Sequence, residues 1–350
     1  MSTFSRKTFD AAAYLAFRPS YPRWVYDKVL TYHFGGTRRK VGGLALDLGC
    51  GPGVSTLSLL PHFERVIGID ASEQMVSVAI TPETRGLPAE LLPESQDGLG
   101  KLEYRQGYSE QLDFLQDASV DLVTCGQAAH WFDYPLFWKT MTRVLKPGGS
   151  VCLYGYPDFF LPDFPSTRSL LNRFSLKDGQ APACPESEPT EHIDSIADFW
   201  EQPGRSIVNQ GLQPVPFPTT YAELARYWNA SSALKRTFST IGLPQHHIWP
   251  SWPPLTTAPL EAELDDHVKS EFQGEQSHAT MDKLLNWSQL ASYLRTWSAT
   301  HTYLQQHPEQ SQNGAPDVVD RFVLQLRNHI KKANGGNDVT NCISDGRSAL

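Results

Sequence analysis

One stretch, LALDLGCGPGVSTLSLL at residues 44–60, limits what this chain can fold into more than any other. Leu44, Ala45, Leu46 and Leu48 read as a short, fully buried strand. Gly49, Gly51 and Gly53 then predict a tight turn with unusual backbone dihedrals, where a ligand can come close to the main chain. After Pro52, Val54, Leu57, Leu59 and Leu60 supply the apolar face of a helix. Strand, glycine turn and helix N-terminus together make a platform for a cofactor.

The glycine spacing separates the cofactor classes. A dinucleotide loop carries G-x-G-x-x-G, its third glycine allowing close helix–strand packing. Here Val54 stands where that third glycine would be, and Asp47 just ahead of the first glycine suits a ligand with a positively charged amino group. A second apolar run, RVIGIDAS at 65–72, ends in Asp70, placed to accept hydrogen bonds from a ribose diol. Ser72 is positioned to cap a helix beginning near Glu73. Further runs at 102–114, 119–133 and 144–156 each contain a strand, the last following a helix and a Pro-Gly-Gly turn. Five buried strands separated by helical segments predict an α/β, Rossmann-like, doubly wound parallel sheet, with ligands at the carboxyl ends of its strands.

Composition narrows the partners. The chain has 350 residues, 40% of them hydrophobic, enough for one large domain or a domain with a substantial elaboration. A net charge of −8 without a basic stripe argues against nucleic acid as a partner. Cysteines 50, 125, 152, 184 and 342 contain no C-x-x-C pair and read as small core hydrophobes in a reducing compartment. No metal site is expected. No run reaches the length of a membrane span and the N-terminus has no apolar leader, so a cytoplasmic protein without a membrane partner is expected. Nothing in the sequence bears on oligomeric state.

Outside 41–157, the expected cofactor-binding core, the chain changes character. Residues 1–40 read as an N-terminal helical lid, 158–333 as a helical and loop cap with the remainder of the fold, and 334–350 as a disordered tail rich in Asn, Gly, Asp and Ser. Proline-rich loops are expected at 81–100, 157–192 and 244–260, and helices near 219–237, 281–306 and 316–332. The cap is placed over the open edge of the sheet, where it would carry substrate specificity.

The D-x-G-x-G-x-G form of residues 47–53 resembles motif I of the class I S-adenosyl-L-methionine (SAM) methyltransferases. FDAAAYLAFRPSYP (9–22), AAHWFD (128–133), FWEQPGRS (199–206) and LRTWSATH (294–301) further resemble the fungal trans-aconitate methyltransferase-like group. The resemblance runs from the N-terminus to about residue 305, with gaps across the proline-rich insertions. It implies a methyltransferase of small molecules that uses SAM and releases S-adenosyl-L-homocysteine, the founding members esterifying a carboxylate of a tricarboxylic acid. It also implies a cofactor site of Asp47, Gly49, Cys50, Gly51, Gly53, Asp70, Ala71, Met75 and Gln127. Tyr108 and Ser109 would flank the adenine, although relatives often carry Asp at the Tyr108 position. Tyr14 and Arg18 belong to a segment that in related enzymes folds over the cofactor, with Arg18 on the methionine carboxylate.

For the methyl acceptor the residues offer two chemistries. A carboxylate nucleophile is already ionised and needs cations to hold it, for which Arg205 and Arg295 are the candidates. A hydroxyl nucleophile needs a base, and His130 beside Trp131 is the best placed. Trp131, Trp200 and Trp297 would line the acceptor pocket. Three functions stay open: methyl transfer to oxygen of a small organic acid or secondary metabolite, a cyclisation or rearrangement that keeps SAM without transferring its methyl group, and a non-catalytic binding or regulatory role.

Overall fold

A computed structural model describes residues 3–6, 8–35, 42–80, 101–156, 158–161, 163–177, 193–235, 282–311, 314–337 and 347–349. The insertions expected at 81–100 and 244–260, residues 178–192, and Cys184 and Cys342 lie outside them.

Helix α1 (Ala11–Phe17) starts where the Asp10 carboxylate accepts the Ala13 N–H at 2.8 Å, and α2 (Arg23–Phe34) stops at Gly35 in the left-handed region. Strand β1 (Leu44–Leu48) is buried at every position, and the short α3 (Val54–Leu57) follows the glycine turn. Then come β2 (Arg65–Asp70), α4 (Glu73–Ile80), β3 (Lys101–Gln106), β4 (Val120–Gly126), α5 (Tyr134–Val144) and β5 (Leu145–Tyr154). Asp133 caps α5 at the Leu136 N–H, and Pro135 stands in its first turn, where no backbone donor is lost.

The five strands pair in parallel in the order β3-β2-β1-β4-β5. Chain order reverses between β1 and β4, so a crevice opens at the carboxyl ends of those two strands. The sheet is the expected doubly wound one. The Pro-Gly-Gly turn enters it as a register shift in β5 opposite Val120–Leu122, since proline cannot donate to a ladder.

Beyond the sheet the chain adds α6 (Arg168–Ser175), α7 (Gly204–Asn209), α8 (Trp287–Arg295), α9 (Ser298–Gln306) and α10 (Val318–Ala333). Capping boxes fix the starts of α8 (Asn286 with Gln289) and α10 (Asp317 with Asp320). Helices α6, α8, α9 and α10 surround an apolar cluster of their own, in which Phe174 and Phe322 stack with centroids 4.0 Å apart.

Three expectations are corrected. Residues 219–235 are not α-helical; three single 3-10 turns occupy Pro218–Thr220, Ala225–Tyr227 and Ala230–Ser232. Of residues 219–235 only Leu224 is buried, with Tyr221 and Trp228 half-buried against the sheet cluster, too little apolar surface to hold a continuous helix. The helix expected over 281–306 is two, broken at Thr296–Trp297 and preceded by a strand β6 (Asp282–Leu284). The tail is not wholly without partners: β7 (Arg347–Ala349) pairs antiparallel with β6, apart from the main sheet.

Candidate active site

The glycine turn sits at the carboxyl end of β1, bonded through the Gly49 and Cys50 N–H groups to the Ile69 carbonyl at 2.7 and 3.1 Å. Gly49 has φ +67°, and a Cβ there would lie 2.2 Å from the Ala128 Cβ, so the strand-four loop is pressed against this turn. Gly51 differs. It also has positive φ, +54°, but faces open space, and its N–H donates to Asp70 Oδ2 at 2.8 Å. Asp70 Oδ1 accepts the Ser72 N–H at 2.8 Å, which leaves both carboxylate oxygens with lone pairs for a diol. Burial raises the Asp70 pKa, and the two backbone donors oppose that rise. An exposed glycine edge beside a fixed carboxylate is a cradle of the shape and chemistry that an adenosyl ribose requires. Ser72 caps α4, its hydroxyl accepting the Met75 N–H at 3.3 Å.

Asp47 lies elsewhere than its sequence position suggested. It is fully buried, Oδ2 accepting the Thr56 hydroxyl at 2.7 Å and Oδ1 the Thr124 hydroxyl at 3.0 Å. Burial pushes its pKa up to about 6. Its carboxylate therefore joins β1 to α3 and β4. Met75 is also core, packed on Phe9 and Ala11 where the N-terminal segment meets α4. Cys50 is buried with its thiol pKa raised by desolvation. Ala71 accepts the Gln106 amide at its carbonyl, Ser109 is buried, and Tyr108 is exposed at the open side of the β3 loop.

Above the cradle, the lid, the strand-four loop and the cap enclose a pocket with about 640 Å³ of non-atom space, its open mouth included. Tyr14 and Arg18 come from the lid, Gln127, His130 and Trp131 from the loop after β4, and Trp200, Arg205 and Trp297 from the cap. Eight of the expected residues thus meet in one place. Gln127, with φ +57°, clamps the backbone of Tyr156 through both amide atoms, Nε2 donating to the carbonyl at 2.9 Å and Oε1 accepting the N–H at 2.8 Å. Arg18 donates to the Thr296 hydroxyl at 2.9 Å and carbonyl at 3.1 Å, its guanidinium lying over the Tyr14 and Tyr293 rings. Burial pushes the Tyr14 hydroxyl up to about 12.

The two candidate clamps part ways. Arg205 is buried in the pocket wall, its terminal nitrogens gripping the Asp158 carboxylate and its guanidinium stacked 4.0 Å over Trp200. Arg295 is not among the pocket-lining residues. It bonds Asp317 at 2.8 and 3.0 Å and Asp320 at 2.7 Å, holding α8 to the start of α10. Arg295 thus makes a helix-to-helix tie, because the capping box of α10 supplies two acids within its reach.

His130 is wedged between the two halves. Its ring lies so near the start of α7 that a Cβ on Gly204 would approach Cδ2 to 2.9 Å. Its Nδ1 is buried without a hydrogen-bond partner. Desolvation, then the nearby Arg205 and Arg18 charges, lower its pKa to about 4, so the ring is neutral at pH 7. The Trp131 ring lies beside it, tilted by 45° with centroids 4.7 Å apart.

Sequence reasoning missed Phe4, Tyr156, Asp158, Glu201 and Tyr293 in the pocket wall. Asp158 carried a readable signal, an acid just past the end of a strand on the ligand side of the sheet. Phe4 and Tyr293 carried none, since only the folded lid and the helix break bring them in. Among the described residues no group of three or more His, Cys, Asp or Glu side chains could hold a metal ion, and no helix is long and apolar enough to cross a membrane.

Residues 46–153 match the family model of the methyltransferase domain. The chain is 29% identical over 175 residues to "Probable S-adenosylmethionine-dependent methyltransferase CRG1" of Saccharomyces cerevisiae, covering 49% of this chain and 54% of that one. It is 31% identical to "Uncharacterized methyltransferase YcgJ" of Bacillus subtilis, over 37% of this chain and 46% of that one. It is 25% identical to "Methyltransferase ptaI" of Pestalotiopsis fici, over 63% of each. The chain spans about half the length of the curated relatives it matches first. The residues that match the methyltransferase domain are those that carry the doubly wound sheet.

Proposed function

We propose that this chain is a SAM-dependent methyltransferase that methylates an oxygen of a small organic acid or secondary metabolite. One observation carries the reading: the pocket joining lid and cap is lined by the segments that follow β4 and β5, and the strand-four loop that lines it is pressed against the glycine turn of the Gly51–Asp70 cradle. Bound SAM supplies an electrophilic methyl group for in-line displacement, so the protein's task is chiefly positioning and exclusion of water.

The residues divide that task. Gly51 and Asp70 would hold the adenosyl end, and Arg18 with Tyr14 would close over the methionine end. Trp131, Trp200 and Trp297 would form the apolar wall for the acceptor. His130, with its pKa near 4, is a weak proton acceptor at pH 7, because burial, and then the charges of Arg205 and Arg18, disfavour the imidazolium. That favours an acceptor oxygen that arrives ionised, a carboxylate or an acidic hydroxyl, over an aliphatic alcohol. His130 then acts by orienting the acceptor in the loop–cap seam.

Incubation of the protein with methyl-labelled SAM and a panel of carboxylic acids and phenols tests the reading. Label should pass to an acid or phenol. Cofactor binding without transfer to any oxygen acceptor would overturn it.

A further inference from the structure

The charges of the pocket wall cancel. Arg18 and Arg205 are its arginines, Asp158 and Glu201 its carboxylates. Asp158 receives both terminal nitrogens of Arg205 together with the Ser175 hydroxyl at 3.1 Å. Glu201 accepts the Thr3 backbone N–H at 2.7 Å and the Thr3 hydroxyl, latching the lid to the cap. Arg18 is bound to Thr296 and covered by two tyrosine rings. Much of the remaining wall is aromatic, with Phe4 set edge-on to Trp131 at 6.4 Å and Trp200 beside Trp297 at 5.4 Å.

A multiply charged acid entering such a wall would lose its water without gaining a matching set of cations. A flat apolar molecule loses little and gains ring contacts. Building on the proposed acceptor role of this pocket, we infer that the acceptor is an aryl-sized, largely apolar molecule with at most one carboxylate. Asp158, by neutralising Arg205, is the residue that sets this selectivity against tricarboxylates. Asp158 does so as a positioning residue: it holds the guanidinium flat against Trp200, with both terminal nitrogens turned to its own carboxylate.

Calorimetry on the full chain saturated with S-adenosyl-L-homocysteine tests this with two probes, 2-naphthoate and trans-aconitate. 2-Naphthoate should bind at least about tenfold more tightly, and its affinity should change less than about twofold when salt rises from about 0.05 to 0.5 M. Asp158→Asn should strengthen trans-aconitate binding by about tenfold and move the ratio of the two affinities towards trans-aconitate, a change of charge preference that loss of structure does not produce. If that variant fails to fold, the wild-type comparison and its salt dependence still decide. Tighter binding of trans-aconitate to the wild type, or a steep loss of 2-naphthoate binding with salt, overturns the inference. So does binding of neither probe by a chain that binds S-adenosyl-L-homocysteine, an outcome that leaves the cofactor standing. Failure to bind S-adenosyl-L-homocysteine overturns the methyltransferase reading itself.

Discussion

The sheet and the cap are stabilised in different ways. In the sheet, neighbours in space are mostly elements alternating along the chain, and β1 places all five of its residues in the interior. In the cap, the apolar cluster is assembled from 159–174, 193–196 and 285–330, segments far apart in sequence. Polar bonds run across the seam between the halves: Asp158 just after β5 holds Arg205 of α7, and Arg18 of the lid holds Thr296 between α8 and α9. The ligand pocket opens along that seam. The comparison teaches that the sheet can bind its cofactor through local geometry, whereas an acceptor site exists only when distant segments converge.

The largest test of that difference removes one large side chain from the cap. Phe322→Ala deletes the stacking partner of Phe174 and should cost about 3–5 kcal/mol in denaturant unfolding. If the halves are separable, the variant keeps S-adenosyl-L-homocysteine binding and loses acceptor binding. Equal loss of both would show that the sheet depends on the cap.

Within the cradle, two glycines with positive φ should behave differently. Gly51→Ala has room for its methyl group and should cost about 1–2 kcal/mol of backbone strain while weakening cofactor binding, since the added group projects into the open cradle. Gly49→Ala would drive Cβ into Ala128 and should lower the melting temperature more than Gly51→Ala does. Calorimetry and thermal melts separate the two effects.

The seam should also show in pH dependence. His130 has a folded pKa near 4, below its ordinary 6.5, so between these values the unfolded chain binds the extra proton. Its contribution to stability is thus present above about pH 6.5 and is lost as pH falls towards 4. Subtracting the stability profile of His130→Gln from that of the wild type should isolate this acid-side loss; an identical slope in both would place the titration elsewhere.

The smallest expected effect is at Arg295. Its partly exposed pairs with Asp317 and Asp320 predict a loss of only about 0.2–1 kcal/mol for Arg295→Ala, with the KM for the acceptor unchanged. A large rise in KM would return this arginine to the acceptor site.

Much of the site was legible because its signals are local. The glycine turn, Asp70 and the Ser72 cap fall within one strand–turn–helix unit and the strand after it, where spacing alone fixes geometry. The resemblance of the lid and cap motifs brought Tyr14, Arg18, Trp200, Arg205 and Trp297 to notice, and all five line the pocket. Arg205 and Arg295 looked alike in sequence, each an arginine in a family-like cap motif. They differ because one reaches Asp158 beside the pocket and the other reaches the cap of α10, a distinction set by where distant acids arrive.

The sequence by itself determined the doubly wound sheet and its cofactor end, since alternation of buried strands with helices and three glycines in one loop leave the backbone few choices. It also determined the starts of α4 and α10, where Ser72 and Asp317 cap their own helices. Tertiary structure decided the rest. It buried Asp47 between two threonine hydroxyls, broke the helix at Thr296–Trp297 so that Tyr293 and Trp297 face one pocket, and neutralised Arg205 with Asp158. Capping and turn geometry act over a few residues, but desolvation and charge pairing depend on every group that folding brings near.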